Sequence, residues 1–402
     1  MGHETRIERP SGSAPRPAPD LDEPHPRPGS VAPCRGRRPG WAPPRMTAGR
    51  LSAALRRWLG VVGSAAVLLL PLRSTAGSLD LGASGYGVSF GNSREWTGLR
   101  LNLRDEGVRQ VRGLNVTLWK SGRRATGVFS GVQLGLVGPE GATLNGLAVG
   151  GLGTGAHRAL RGVAIAGMGA GAGGDLTGVA LAGLGAGAGG DLTGIALAGL
   201  GTGTGGDLRG LAAGLVGAGT GGDGWGLILG GIGAGVGHDL HGAALGGVGA
   251  GVGGDLTGVV GGLVGAGVGG TLRGLGFGGA GVGAGKDLVG IGLGGLCVGA
   301  GGRLCGLAVG LGGVRADEGI QGIALSAIST GAPTQEGICV GLLNGYVFED
   351  FWFRRRNEGT AGLTVGLVNY APSLRGVQLG LLNYAGNNPR WARLLPLLNA
   401  HW

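Results

Sequence analysis

Glycine recurs at every sixteenth residue through the centre of this 402-residue chain, and this spacing limits its fold more than any other feature. The spacing is unbroken over Gly146, Gly162, Gly178, Gly194, Gly210, Gly226, Gly242, Gly258, Gly274, Gly290, Gly306 and Gly322. Looser copies begin at Gly98, Gly113, Gly131, Gly337, Gly362 and Gly376. A fixed period of this kind is typical of stacked repeats, in which each unit buries its apolar side chains only against its neighbours.

One unit, residues 178–193, defines repeat positions 1 to 16. Larger apolar residues stand at positions 2, 4, 7 and 15, and Ala or Val stands at 9 and 11. Each set alternates along the chain, which predicts strands with one buried face. An apparent change of phase between the sets and the Gly-Gly-Asp at positions 12–14 predict corners. We therefore expect positions 2, 4, 7, 9, 11 and 15 to face inward and the glycines at 8 and 10 to form a bare outer surface.

The composition favours stacked coils over other glycine-rich chains. Glycine supplies 102 residues but not every third one, which excludes collagen. Apolar residues occur throughout, unlike in flexible polar linkers. The sequence predicts an all-β, glycine-rich β-solenoid of about fifteen coils of roughly sixteen residues. The alternative is an outer-membrane β-barrel, because sixteen residues fit one strand with a turn and the chain ends in Trp402, although aromatic girdles are lacking.

The first 76 residues differ from the repeats in composition. Residues 1–45 hold eleven of the seventeen prolines, and we expect them to be disordered or to result from a wrongly assigned start. After Met46, arginines precede an apolar run over 58–72 and small residues up to Ala76, which predicts a secretory signal peptide over 46–76. An uncleaved anchor is the alternative. The chain is therefore expected to be exported to the periplasm, the outer membrane or the cell surface.

The remaining sequence divides into four parts. Residues 77–130 are expected to form degenerate coils or a cap, 131–345 the regular solenoid, 346–361 an insertion, and 362–402 the last coils with a terminal segment. The insertion breaks the period with aromatic and basic residues, namely Tyr346, Phe348, Phe351, Trp352, Phe353, Arg354, Arg355 and Arg356. Two hypotheses stand equally: it docks on an anionic membrane surface or a partner, or it covers the end of the solenoid.

The C-terminal repeats carry a more specific signature. Residues 362–371 read Gly-Leu-Thr-Val-Gly-Leu-Val-Asn-Tyr-Ala, residues 376–385 read Gly-Val-Gln-Leu-Gly-Leu-Leu-Asn-Tyr-Ala, and the chain closes with Asn-Ala-His-Trp. This resembles the bacterial glycine-rich surface-repeat family named from leptospires, most specifically over 337–402 and more loosely over 98–336. The resemblance implies export and a surface location. The family has no established activity, so the resemblance implies no functional residue.

Acidic residues recur at repeat position 14, namely Asp175, Asp191, Asp207, Asp223, Asp239, Asp255 and Asp287. Stacked about 5 Å apart, these carboxylates would repel one another, and Ca²⁺ would relieve the repulsion. The nine-residue period of known calcium-binding repeats does not fit this chain. We therefore favour a structural role, in which each Asp oxygen caps a glycine turn, and expect no cofactor.

Three asparagines, Asn344, Asn369 and Asn383, follow Gly-Leu-Leu or Gly-Leu-Val in the last repeats. The hypothesis is that they stack as an internal hydrogen-bonded ladder at a corner, which satisfies buried backbone groups. Elsewhere, His238 and His241 lack a nearby third histidine, so a metal site there has little support.

The residue inventory also limits the function. Residues 77–402 hold 21 basic and 18 acidic residues without a basic stripe, which excludes nucleic acid as a partner. No nucleophile with a supporting base and no phosphate-binding loop stands out, so neither catalysis nor a small-molecule substrate is predicted. The sequence predicts an exported structural or adhesive surface protein, which contacts a surface ligand, a polymer or a membrane surface. The outer-membrane barrel remains the alternative.

Overall fold

The computed structural model describes residues 77–122, 126–345 and 359–402. The expected N-terminal tail (1–45) and signal peptide (46–76) lie outside the described residues, as do all eight residues singled out in the insertion. In chain order the strands are β1 (Ser78–Ala83), β2 (Tyr86–Gly91), β3 (Glu95–Asn102), β4 (Gln110–Thr117), β5 (Val128–Gly135), β6 (Glu140–Gly150), β7 (Gly153–Ala166), β8 (Gly169–Ala172), β9 (Asp175–Ala182), β10 (Gly185–Ala188), β11 (Leu192–Ala198), β12 (Gly201–Thr204), β13 (Leu208–Gly214), β14 (Gly217–Thr220), β15 (Gly224–Gly230), β16 (Gly233–Val236), β17 (Leu240–Gly246), β18 (Gly249–Val252), β19 (Leu256–Gly262), β20 (Gly265–Val268), β21 (Leu272–Gly278), β22 (Gly281–Ala284), β23 (Leu288–Gly294), β24 (Cys297–Ala300), β25 (Arg303–Gly310), β26 (Gly313–Ala316), β27 (Gly319–Ser326), β28 (Ser329–Gly331), β29 (Thr334–Val340), β30 (Leu343–Asn344), β31 (Gly359–Val365), β32 (Val368–Ala371), β33 (Leu374–Ala385) and β34 (Leu394–His401). A 3-10 helix, Arg390–Ala392, lies between β33 and β34.

Each regular coil contributes one long strand over positions 15 to 5 and one short strand over positions 8 to 11. Residues sixteen apart pair in parallel, so that Leu192 lies between Leu176 and Leu208. The long strands thus form one parallel sheet and the short strands another, through about seventeen turns. The predicted β-solenoid is therefore confirmed as the architecture of the described residues.

The interior lies between the two sheets. In a representative coil it is lined by Leu176, Ala180, Ala186 and Ala188, which occupy positions 15, 3, 9 and 11 and are all buried. The corresponding side chains of the other coils continue this row, and one apolar cluster runs from Val108 to Cys339. The core is thus narrow in cross-section and as long as the array of regular coils.

The predicted orientation of positions 2, 4 and 7 is wrong. At positions 2 and 4, Ile195 and Leu197 point outward and are 38% and 37% exposed, whereas Ala196 between them is fully buried. Position 7 is also exposed, as at Leu200. Positions 15, 3, 9 and 11 are all odd, so the inward set keeps one parity around the coil and the apparent change of phase is absent. A close-packed space between the sheets holds one Leu with three small side chains, and the other large residues lie outside.

The glycine at position 1 is required by the bend of the long strand. Gly194 has φ +129°, a conformation that side chains with a Cβ rarely adopt. A Cβ on Gly194 would also lie 2.0 Å from the carbonyl oxygen of Gly178 in the preceding coil. Both the backbone conformation and the close approach of successive coils therefore maintain the sixteen-residue glycine period.

The ends of the solenoid are closed by antiparallel strands. β1 pairs with β2 and β34 pairs with β33, each in the antiparallel sense. Within β34, Pro396 lacks a backbone N–H and Leu397 has φ +66°, so this terminal strand offers an interrupted edge to any further strand. Among the residues described, no helix has the length and apolar character needed to cross a membrane.

Candidate functional site

The outward side of the long-strand sheet carries two ladders of large apolar side chains, at positions 2 and 4, which we term the apolar face. Ala243 interrupts the position-2 ladder, and Ala213 and Gly261 interrupt the position-4 ladder. Position 2 supplies Leu99, Leu114, Val132, Leu147, Val163, Val179, Ile195, Leu211, Leu227, Val259, Leu275, Ile291, Leu307, Ile323, Ile338, Leu363 and Val377. Position 4 supplies Leu101, Val116, Leu134, Val149, Ile165, Leu181, Leu197, Leu229, Leu245, Phe277, Leu293, Val309, Leu325, Val340, Val365 and Leu379. None of these side chains is buried. Parallel pairing places equivalent residues side by side, as in Ile195 beside Leu211.

A shallow groove of about 910 Å³ runs along one border of the apolar face. It crosses six successive coils, where small residues at positions 5 and 6 lie beside the position-4 ladder. Its lining includes Leu181, Ala182 and Gly183 in one coil and Leu197, Ala198 and Gly199 in the next. The groove is lined by apolar side chains and backbone, so it is suited to recognition by shape.

Charge is confined to one edge of the regular coils. Between residues 162 and 300, every acidic or basic residue stands at positions 13 to 16, and we term positions 12–16 the charged edge. Along this edge the guanidinium of Arg209 lies 4.9 Å from the ring centre of Trp225, and the Trp225 and His241 rings meet edge to face at 6.1 Å. The apolar face and the short-strand side of these coils carry no charged side chain.

The outer side of the short-strand sheet is the bare surface that the sequence predicts, and we term positions 8 and 10 of these strands the glycine face. A Cβ added at Gly235, Gly251 or Gly267 would have no atom within 4 Å. The expectation that these glycines point outward is confirmed. Near the C-terminal end the same row continues as Tyr370 and Tyr384, whose rings stack with centres 5.1 Å apart.

The seven aspartates at position 14 bond to the backbone of the following coil. The N–H of Asp191 donates to Asp175 Oδ1 at 3.1 Å, and the N–H of Asp207 donates to Asp191 Oδ1 at 2.9 Å. The other five carboxylates accept equivalent bonds of 2.7 to 3.1 Å. The side chains thus extend the intercoil hydrogen-bond ladder through the turn.

The candidate metal ligands of the sequence are the Asp row, His238 and His241. Within the described ranges, no group of three or more His, Cys, Asp or Glu side chains is arranged to hold a metal ion. His238 and His241, which flank Asp239 in the sequence, belong to no such group. The hydrogen bonds to the next coil give each carboxylate a structural partner without an ion.

The three C-terminal asparagines form a buried ladder. Asn344 Nδ2 donates to Asn369 Oδ1 and Asn369 Nδ2 donates to Asn383 Oδ1, both at 2.7 Å. These side chains also donate to backbone carbonyls, including that of Gly380 at 2.7 Å from Asn383. They project inward from short strands rather than from a corner, because Asn344 pairs in register with Thr330 and Asn369.

The N-terminal coils contain a buried polar cluster that the sequence analysis missed. Arg100 is fully buried and forms an ion pair with Asp105. Its guanidinium also donates to Asn115 Oδ1 at 2.9 Å, while Thr117 donates to Asp105 Oδ2 at 2.7 Å. Arg100 and Asn115 occupy position 3, where most regular coils have Ala, and the sequence did not signal their burial because its pattern favoured positions 2 and 4 as the inward ones.

The cysteines differ sharply in accessibility. Cys297 is exposed on the glycine face, and Cys305 is half-buried at position 16. Cys339 is buried, and burial raises the pKa of its thiol to about 12. All three are free thiols, so no disulfide joins Cys297 to Cys305.

No known protein family, curated protein or solved structure matches this chain.

Proposed function

We propose that the chain is an exported structural or adhesive surface protein that acts through extended faces and performs no catalysis. The observation that carries this proposal is the uniformity of the coils. Between residues 162 and 300 the apolar face, the glycine face and the charged edge recur from coil to coil, with single-residue departures such as Trp225 and Gly261. Such a repeated surface is suited to contacts spread along a long partner.

Several features support a structural role. At about 4.8 Å per coil, about seventeen turns give a rod roughly 80 Å long. The glycine face presents backbone without side chains, so another extended polymer or repeat array can approach it closely. The buried Asn344–Asn369–Asn383 side chains bond to one another and to backbone carbonyls. They face the interior, where no substrate reaches them.

Export is supported by the segment 46–76 and by the resemblance of the last repeats to a bacterial surface family. The test is expression in a bacterial host with an outer membrane, followed by fractionation and mass spectrometry of the N-terminus. Export predicts a mature chain beginning at Gly77. Brief protease treatment of intact cells then separates a cell-surface from a periplasmic location. An intact chain in the cytosol that retains residues 46–76 would contradict the proposal.

A further inference from the structure

The apolar face is covered by no other described part of the chain, although it runs the length of the solenoid. Ile165, Ile195 and Leu197 are 37–39% exposed, and Ile291 and Leu293 are 41% exposed. Other residues of the face, such as Ile323 and Ile338, are equally exposed, and the remainder are half-buried. Together the two ladders offer on the order of 1,000 Å² of apolar side-chain surface, and stable dimers bury about 800 Å² per partner. The face is therefore large enough to hold a partner by itself.

The length and repeat of the face restrict its partner. An ordinary globular domain would cover a few coils and leave the others in water. A second solenoid with the same intercoil spacing matches the ladders along their whole length, so that ridges of one copy lie between ridges of the other. The face of each copy is uncharged, so bringing two of them together buries no unpaired charge.

The charge beside the face argues against a membrane as the occupant. Surfaces that lie in a lipid interface carry Lys and Arg with aromatic residues around the apolar side chains. Here the neighbouring charged edge of residues 162–300 carries seven aspartates against three basic side chains, Arg209, Arg273 and Lys286, so it is net acidic. Phe277 is the only aromatic residue that the same coils contribute to the apolar face. In a face-to-face pair the same edge becomes a polar rim that stays in water.

We propose that two copies of this chain pack through their long-strand sheets, apolar face against apolar face. The glycine face and the charged edge of each copy then remain on the outside. This pairing concerns the purified protein in solution and does not depend on export, so it can fail while the proposed function stands.

The test compares two double variants of the full chain that add the same charge on opposite sides. Ile195→Lys with Ile291→Lys places two lysines on the apolar face. Gly235→Lys with Gly299→Lys places two on the glycine face, where an added Cβ meets no atom within 4 Å. Sedimentation velocity is measured from about 0.1 to about 50 μM, which covers roughly the dissociation constants expected of such interfaces. It should show a dimer for the parent and for the glycine-face variant. The apolar-face variant should raise the dissociation constant roughly 100-fold or more.

Two additional measurements keep the outcome decisive. Circular dichroism checks that the lysine variant of the apolar face is folded. If that variant is unfolded, the double variant Ile195→Thr with Ile291→Thr, which keeps β-branched side chains, is used in its place. Alkylation of Cys297 reports on the opposite side, since this thiol should react equally fast in dimer and monomer.

Three results would overturn the proposal. One is a parent chain that stays monomeric at about 50 μM, roughly the highest concentration that such an interface requires to form. A monomer of this kind overturns the proposal whether or not it sediments with vesicles of phosphatidylcholine and phosphatidylglycerol. Another is a dimer that persists in both apolar-face variants. The third is a dimer in which Cys297 is protected, because that result places the glycine face in the interface.

Discussion

The central and terminal coils share one backbone but fill it in different ways. In the centre, inward position 3 holds Ala180, Ala196 and their equivalents, and the polar side chains of the interior are threonines such as Thr202 and Thr204. At the N-terminal end the same position holds Arg100 and Asn115, and at the C-terminal end Asn369 and Asn383 fill position 9. The centre is therefore specified by side-chain shape and the ends by hydrogen bonds. The intercoil hydrogen bonds of the backbone set the path of every coil, whereas the side chains that fill the interior differ between regions.

The polar ends have a reason in their position. A central coil stacks on another coil at each side, whereas an end coil stacks on one coil and on a capping strand. Hydrogen bonds with fixed partners, such as those from Arg100 to Asn92 and Asn115, join β3 to β4 and to the segment that follows the capping hairpin. An interior made mostly of Ala, Val and Leu offers few directional contacts that would favour one register.

The largest expected effect comes from breaking the polar interior at the N-terminal end. Asp105→Ala leaves the buried Arg100 guanidinium without its carboxylate, which should cost about 3–5 kcal/mol. Because repeat arrays unfold locally, amide hydrogen exchange of β3 and β4 is the suitable measurement. Glu95→Ala, which breaks the exposed pair with Arg109, is the matched control and should cost no more than about 1 kcal/mol. Equal effects of the two would contradict the assigned role of the buried pair.

The C-terminal ladder should show a smaller effect. Asn369→Ala removes the donor to Asn383 Oδ1 and to the Leu379 carbonyl, while Asn344 keeps its bonds to backbone, so the expected cost is about 1–3 kcal/mol. Faster exchange in β30, β32 and β33, with unchanged exchange in the central strands, would agree with this. Asn145→Ala on the charged edge is the control. An unchanged melting curve together with unchanged exchange would remove the ladder from the list of stabilising features.

The side-chain packing between the two sheets of the central coils is tested by overpacking. A Cβ at Gly276 would lie 2.7 Å from Val282 Cγ1 and 2.8 Å from Leu272 Cδ1. Gly276→Ala alone should therefore destabilise by about 1–3 kcal/mol. Adding Val282→Ala restores the Ala-Ala pairing of positions 3 and 9 found elsewhere, and most of the loss should be recovered in a double-mutant cycle followed by chemical denaturation. If the stability losses of the two substitutions simply add, the side chains at positions 3 and 9 do not compensate each other in size.

The smallest effect is expected at the charged edge. Asp191→Ala removes the acceptor for the N–H of Asp207 and should cost about 1 kcal/mol. Asp191→Asn keeps a side-chain oxygen and should cost less. Thermal melts with Ca²⁺ and with a chelator provide the second comparison, since a hydrogen-bonded turn predicts the same midpoint in both. A calcium-dependent rise that Asp191→Asn abolishes would instead assign the row to metal binding.

Much of the fold follows from the period. The glycine spacing predicts stacked coils, the pairing of residues sixteen apart and the bare outer row at position 10, because only a repeated backbone requires glycine so regularly. The Asn344, Asn369 and Asn383 contacts also follow, since three polar residues at one repeat position lie next to one another in a parallel stack. Their place in the coil was expected at a corner and lies instead in the short strands.

The sequence does not determine in the same way which side chains of each strand face the interior. Residue size suggests that Ile195 and Leu197 are core residues, and alternation alone is satisfied with either parity facing inward. The deciding quantity is the space between the sheets, which depends on how closely glycine lets the coils and corners approach. One sequence clue points to the correct parity. Where position 15 is Gly224 instead of Leu, position 3 of the following segment is the larger Ile228, so the two compensate in volume within one interior layer.

The pairing of every residue with the one sixteen places later makes length an independent property of this molecule. Deleting residues 194–209 would join Thr193 to Gly210 and bring the row of Gly178 against that of Gly210, with every ladder intact and the rod shorter by about 4.8 Å. Inserting a unit would lengthen it by the same step. The solenoid therefore behaves as a ruler, graduated in strand spacings, whose reach can change by duplication or loss of a unit while its caps and its cross-section stay the same.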